Sequence, residues 1–272
     1  MSELRVTMVD VGWGDSVLIE SEDHNGQTHY ALVDSNEEYD GPSSLIFLRK
    51  FFEKQGITPG PGHLFDFILL SHGHTDHGKG LETIFRRYGA ERFWYPKSAD
   101  NSSQANLLRA AKNSSRIRYF QAIDRTKVLP NLGDAQLGVL WPPHNVTFSN
   151  PNNNSVVLTL TLGNVTFLLT GDAERLVWDR IGAEIPQDTR FVKVPHHGAW
   201  DATVINGQTP WLDHCPAAAT LGISCHVQPH PHPSRQVIDE FNQRHYTYYR
   251  TDEQYHLTFT TDGNATQVRY SH

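Results

Sequence analysis

The chain has 272 residues, a length that single α/β or sandwich domains reach routinely, and its 38% hydrophobic content with 20 glycines and 15 prolines excludes a disordered or coiled-coil protein. A formal net charge of −7 excludes a surface that grips nucleic acid by basic charge alone. No apolar run approaches ~18 residues and no basic-then-apolar leader opens the chain, so the expected setting is cytoplasmic, without a membrane partner.

Period-two and apolar runs predict strands over residues 5–11, 16–20 and 30–34, with Gly12, Gly14 and the turn at 24–26 between them. Ser43 or Ser44 is the expected cap of a helix running through Phe52. A Gly/Pro-rich loop at 56–62 then leads into a buried strand at 65–70. Helices at 80–88 and 103–113 alternate with strands at 92–95 and 118–121. Further strands follow at 136–141, 155–162 and 165–170, the last pair joined by the two-residue turn Gly163-Asn164. A helix at 174–181, strands at 190–194 and 218–223, a helix at 234–244 and strands at 255–260 and 267–270 complete the reading. Meanders of strands with helices in both halves predict an α/β (α+β) sandwich of two facing sheets with helices outside, in one domain over 1–272. The Pro/Asn-rich stretch 142–154 reads as a loop inside it. Cys215 and Cys225 read as free thiols, too few for a disulfide framework.

Sixteen histidines stand out in this composition. The decisive segment is Phe67-Ile68-Leu69-Leu70-Ser71-His72-Gly73-His74-Thr75-Asp76-His77-Gly78, an apolar strand ending in three histidines and an aspartate. Alternation along an extended strand puts His72 and His74 on one side, where they can share an ion. Asp76 and His77 follow where the chain turns, and can face a second ion. Imidazole and carboxylate ligands without cysteine suit zinc, manganese or iron and exclude a thiolate structural zinc. Any one of these histidines alone would read as a surface or capping residue; the cluster does not. No Gly-x-Ser-x-Gly elbow, phosphate-binding glycine loop or dinucleotide fingerprint is present.

His-x-His-x-Asp-His after a strand resembles the metallo-β-lactamase superfamily, and other segments continue the likeness in order. Val9-Asp10-Val11-Gly12-Trp13-Gly14-Asp15-Ser16 is similar to the opening of the hydrolase domain of ComEC-type DNA-uptake proteins. Leu32-Val33-Asp34-Ser35, Asn152-Asn153-Asn154-Ser155, Leu169-Thr170-Gly171-Asp172-Ala173, Val194-Pro195-His196-His197-Gly198 and Pro229-His230-Pro231-His232-Pro233 extend it over nearly the whole chain. The resemblance implies a four-layer αββα sandwich holding two divalent ions, zinc first and manganese as the alternative.

It also implies that His72, His74, Asp76, His77 and Asp172 ligate, with Asp172 bridging and His196 or His230 completing the second shell. Asp76 and His197 are the expected catalytic groups, and Asn152 and His232 the expected substrate contacts. Asn152 stands where the wider superfamily has a further histidine. Ala199 and Trp200 follow Gly198 where this branch has serine, and Pro229 replaces a glycine; these departures bear on metal affinity and substrate choice. Asp10, Asp15 and Asp34 are read as supports of the ligands or as turn caps, and Trp13 as a core residue.

The implied reaction is hydrolysis by a metal-activated water, with DNA as the first-choice phosphodiester. A small phosphodiester, lactone or amide substrate is the alternative, and a non-catalytic metal-binding scaffold is the second. A nuclease predicts a basic rim on the cleft, for which Lys79, Arg86, Arg87, Lys97 and Lys193 are the candidates.

Overall fold

The structure is a computed structural model describing residues 2–37 and 43–271. In chain order the elements of its first half are β1 (Leu4–Met8), β2 (Val17–Glu22), β3 (Thr28–Val33), α1 (Ser44–Lys54), β4 (Phe65–Leu69), α2 (Thr75–Gly78), α3 (Leu81–Tyr88), β5 (Ala90–Tyr95), α4 (Ala105–Lys112) and β6 (Ile117–Ala122). The second half comprises β7 (Gln136–Trp141), β8 (Val157–Leu162), β9 (Val165–Leu169), α5 (Arg175–Ile181), β10 (Thr189–Lys193), α6 (Trp200–Thr203), β11 (Thr220–Ile223), α7 (Arg235–Gln243), β12 (Thr247–Arg250), α8 (Thr251–Gln254), β13 (Leu257–Thr261) and β14 (Thr266–Tyr270).

Two sheets result, ordered β14-β13-β1-β2-β3-β4-β5-β6 and β12-β11-β10-β9-β8-β7. Strands β3 to β6 run parallel, as do β9 to β12, and the remaining pairs are antiparallel. Three apolar clusters separate four layers. Met8, Ile19, Phe67, Leu69, Trp94, Leu158, Phe167, Phe191 and Phe259 fill the space between the sheets. Phe52, Ile68, Leu81, Phe85 and Phe93 pack α1, α3 and α4 on the outside of the larger sheet. Val177, Trp178, Val192, Trp211, Leu221 and Phe241 pack α5 and α7 on the smaller one. The alternation of Phe67 and Leu69 with Ile68 and Leu70 between two clusters explains why this strand reads as a continuous apolar run: both of its faces are covered. The sandwich is the αββα architecture expected from the sequence.

Ser43 caps α1, its hydroxyl accepting from the Ile46 amide at 3.2 Å, and Gly163-Asn164 forms the hairpin turn between β8 and β9. The stretch 142–154 joins two hydrogen-bonded neighbours, β7 and β8. Three readings are corrected. The first strand ends at Met8 rather than residue 11: Val9 makes one last bond, to the Ser16 carbonyl at 2.8 Å, and the chain then turns at Gly12 and Gly14, with φ of 69° and 95°. Residues 247–250, Thr-Tyr-Tyr-Arg, form the edge strand β12, whose half-exposed polar pattern gives no apolar signal. The strand expected from residue 255 begins at Leu257, since Tyr255 closes the one-turn helix α8 with a left-handed φ of 59°. No helix among the described residues is long and apolar enough to cross a membrane.

Candidate metal centre

The carboxyl ends of β4, β9 and β10 meet at one edge of the sandwich, where parallel strands release their chain into loops. The loop after β4 carries His72, fully buried, with Nε2 at 3.2 Å from His74 Nδ1 and 3.8 Å from Asp172 Oδ2. Helix α2 then turns Asp76 and His77 back toward the same point. His77 Nε2 lies 3.7 Å from Asp76 Oδ2 and 3.2 Å from Asp172 Oδ2. Asp172 follows β9 through Gly171, whose φ of 51° makes the turn. Its position is fixed by a 3.0 Å hydrogen bond from its own amide to Ser155 Oγ.

The sequence left His196 and His230 as candidates for the last ligand and gave His197 a catalytic role; the geometry distributes them differently. His197 Nε2 is the nitrogen aimed at the cluster, 3.4 Å from Asp172 Oδ2 and 4.0 Å from Asp76 Oδ2. The Ser224 carbonyl, 2.9 Å from Nδ1, holds its ring in place. His196 turns away, with Nδ1 3.2 Å from Asp201 Oδ1 and 3.7 Å from Glu174 Oε1. His230 is exposed and lies against the Trp13 ring at 5.0 Å. The reason is local: His196 and His197 are both left-handed, with φ of 49° and 55°, and this curl directs only the second ring inward.

His77 Nε2, His197 Nε2 and Asp172 Oδ1 are buried without a hydrogen-bond partner. Converging orphans of this kind are costly unless a cation satisfies them. The spacing allows His72, His77 and Asp172 to share one ion, and Asp76, His77 and His197 to share another. The donor set therefore fits divalent metal, with His77 common to the two groups and Asp172 a member of the first.

Beneath this cluster lies a second ring of polar groups. Asp34 accepts from the Ser71 amide at 2.6 Å and the Ser71 hydroxyl at 2.5 Å, and lies 2.7 Å from His77 Nδ1. Such a carboxylate fixes the imidazole tautomer and leaves Nε2 free to face the site. Asp15 and Lys193 are buried as well, Lys193 Nζ lying 2.6 Å from Asp15 Oδ2. Burial and the neighbouring His77 hold His72 well below the usual imidazole range. Burial would also lower His77, but Asp172, Asp76 and Asp34 carry it well above that range. Burial alone would raise Asp172, yet His197 and His77 pull it well below the usual carboxylate range.

The approach to the cluster is aromatic. Trp13, expected in the core, is half-buried there, its ring 4.8 Å from His197 and 5.5 Å from His232. Gly12 and Gly14, with φ of 69° and 95°, turn the chain on either side of it and lift it out of the sheet. His232 is pushed down to about 4 by burial and by His197 and His196. Asn152 Nδ2 donates to Glu174 Oε1 at 2.7 Å and lies 3.3 Å from His196 Nε2. Lys193 is no part of a basic rim, while Arg86 is paired with Glu82 and Lys97 with Asp100. Lys79 and Arg87 are exposed.

The sequence model of the metallo-beta-lactamase superfamily matches residues 65–205, more than half of the chain. The chain belongs to the metallo-beta-lactamase superfamily. Within this superfamily it is similar to ComE operon protein 3 of Bacillus subtilis, at 27% identity over 93% of this chain. It is also similar to Recombination protein 2 of Haemophilus influenzae, at 25% identity over 73% of this chain. The chain spans only 32% and 22% of the length of these two relatives. Among solved structures, a mutant of CmlA beta-hydroxylase overlays with a TM-score of 0.53 at 14% identity, covering 94% of this chain and 53% of the other. That likeness is one of fold alone.

Proposed function

We propose that this superfamily member is a dinuclear metal-dependent hydrolase that cleaves phosphodiester bonds in DNA. The observation that carries the reading is the convergence of His72, His77 and His197 on the single oxygen Asp172 Oδ2, with Asp76 beside His77 and His197 and two of the buried imidazole nitrogens left unpartnered. His74 stands beside this group, its Nδ1 3.2 Å from His72 Nε2, and zinc or manganese suits the donor set. When bound, the ions supply Lewis acidity and lower the pKa of a water. The chain's own groups do the rest. Asp172 would offset the charge of bound metal, and Asp34 with Ser71 locks the His77 ring. Asp76, the most exposed of these carboxylates at 25%, is the group that would accept a proton from water at the cluster. His232 stays neutral near pH 7 and offers a hydrogen bond to a phosphate oxygen. Asn152 and His196 extend the polar wall beside it.

DNA as substrate is supported by the likeness to a protein named for recombination and to the ComEC-type hydrolase domain. The acidic net charge and the pairing of Arg86 and Lys97 with carboxylates favour a small phosphodiester as the second reading. Purified protein incubated with linear single- and double-stranded DNA under zinc, manganese or no metal separates the two. Cleavage that requires metal and disappears in Asp172→Ala is the expected result. DNA left intact under every metal, with a small phosphodiester hydrolysed, overturns the nuclease reading in favour of the second.

A further inference from the structure

Among the described residues Lys193 is the one lysine that the fold takes wholly inside, with 1% of its surface exposed, and it lies at the floor of the candidate metal centre. Its ammonium has three fixed neighbours. Nζ is 2.6 Å from Asp15 Oδ2, donates to the Gly171 carbonyl at 3.1 Å and reaches the Val194 carbonyl at 3.4 Å. The same nitrogen is 4.0 Å from Asp172 Oδ1, on the carboxylate whose other oxygen faces His72, His77 and His197. Asp15 in turn lies 3.7 Å from both His77 Nδ1 and His197 Nδ1. The pair therefore touches both the turn that presents Asp172 and two of the histidines.

A buried ion pair of this kind is rarely worth much for stability, because desolvating two charges offsets their attraction, and hydrophobic replacement is often neutral. Its consequence here is electrostatic. Asp15 cancels a positive charge that would otherwise stand 4.0 Å from a carboxylate of the candidate ligand group. Lys193, for its part, holds Asp15 away from ligation and ties down the Gly171 carbonyl beside Asp172.

We propose that Asp15 and Lys193 act as a charge-compensated positioning pair that sets the metal affinity of the centre. The proposal rests on reading the cluster as a metal site. It predicts a sign pattern that a merely structural role would not give. Asp15→Asn, nearly isosteric, leaves the Lys193 cation uncompensated and weakens metal binding, by about tenfold from the coupling typical of residues in contact. Lys193→Met in the same chain removes the offending charge and restores affinity to within about threefold of wild type. Two structural lesions in one site would instead add.

The test is a double-mutant cycle on the full chain with two readouts: zinc affinity by competition with a chromophoric chelator, and urea unfolding of the metal-free protein. Expected are a weakened Asp15→Asn and a recovered Asp15→Asn/Lys193→Met in both, including recovery of soluble protein should the single variant fold poorly. A double variant as weak as, or weaker than, Asp15→Asn overturns the proposal. Wild-type protein that takes up neither zinc nor manganese removes the metal-site reading itself, and with it the proposed effect on affinity. A metal-free unfolding cycle in which the double variant recovers then still identifies the two charges as a coupled pair.

Discussion

Asp34 is the residue on which the centre's geometry depends most, although it faces no ion. It sits just past β3 with a left-handed φ of 60°, and its two oxygens serve the Ser71 amide, the Ser71 hydroxyl and His77 Nδ1. Removing it strands three buried polar groups, and bonds to a charged acceptor contribute about 1.5–3 kcal/mol each. Asp34→Ala is expected to lower the unfolding free energy in urea by at least about 3 kcal/mol and to release the His77 ring, so that bound zinc falls below wild type. A loss under about 1 kcal/mol would mean that Ser71 and His77 find water instead. At this scale the sequence was informative about residue type and silent about direction. Asp34 was legible as a support for the ligands or a turn cap, and the structure gives it the first role. Nothing in the string Pro195-His196-His197-Gly198 says which ring points inward.

At the scale of elements, the centre is assembled where the β1–β2 loop packs against the loop after β4. A Cβ on Gly14 would stand 2.2 Å from the Asp76 carbonyl oxygen, and the Asp15 amide donates to that oxygen at 3.3 Å. Across the two sheets, Val156 donates to the Ser71 carbonyl at 2.9 Å, tying the start of β8 to the end of β4. Gly14→Ala is therefore expected to cost about 2 kcal/mol or more and to lower metal stoichiometry, since backbone must move in the loop that carries Asp76. Gly26→Ala is the control. Gly26 also has a positive φ, 77°, but open space around it, so its cost is expected near 1 kcal/mol with metal content unchanged. Thermal unfolding and metal analysis of both variants check the pair; equal effects would show that backbone strain alone matters. Strand existence was legible because β4 is an apolar run with both faces covered and β8 alternates leucine with threonine at period two. The edge strand β12 and the short helices α2, α6 and α8 were not, since four residues carry no period.

At the scale of the whole molecule, the chain closes on itself. β13 pairs with β1, so the last two strands complete the sheet that the first one opens. Phe259 of β13 is 2% exposed and stacks on Phe191 of the opposite sheet at a centroid distance of 3.9 Å. Phe259→Ala leaves a cavity between the sheets and is expected to cost about 3–5 kcal/mol in denaturant unfolding. Metal stoichiometry of the folded fraction should stay at the wild-type value, because the cavity lies in the inter-sheet core away from the ligand loops. A parallel loss of metal at concentrations where the variant is folded would show that the packing of the sheets and the geometry of the centre are coupled.

The sequence by itself determined the layered class of the fold, since binary pattern and strand length are local properties. It also determined the chemistry of the centre, because His72, His74, Asp76 and His77 fall within one turn-forming segment. The tertiary structure decided what depends on distant chain segments meeting. His197 rather than His196 or His230 faces Asp172 because the left-handed backbone at residues 196 and 197 and the Ser224 carbonyl on Nδ1 hold its ring toward the cluster. Trp13 lines the approach because two glycines lift it from the sheet. Lys193, an apparent surface cation by composition, lies buried because Asp15, far away in sequence, is brought beside it by the packing of the two sheets.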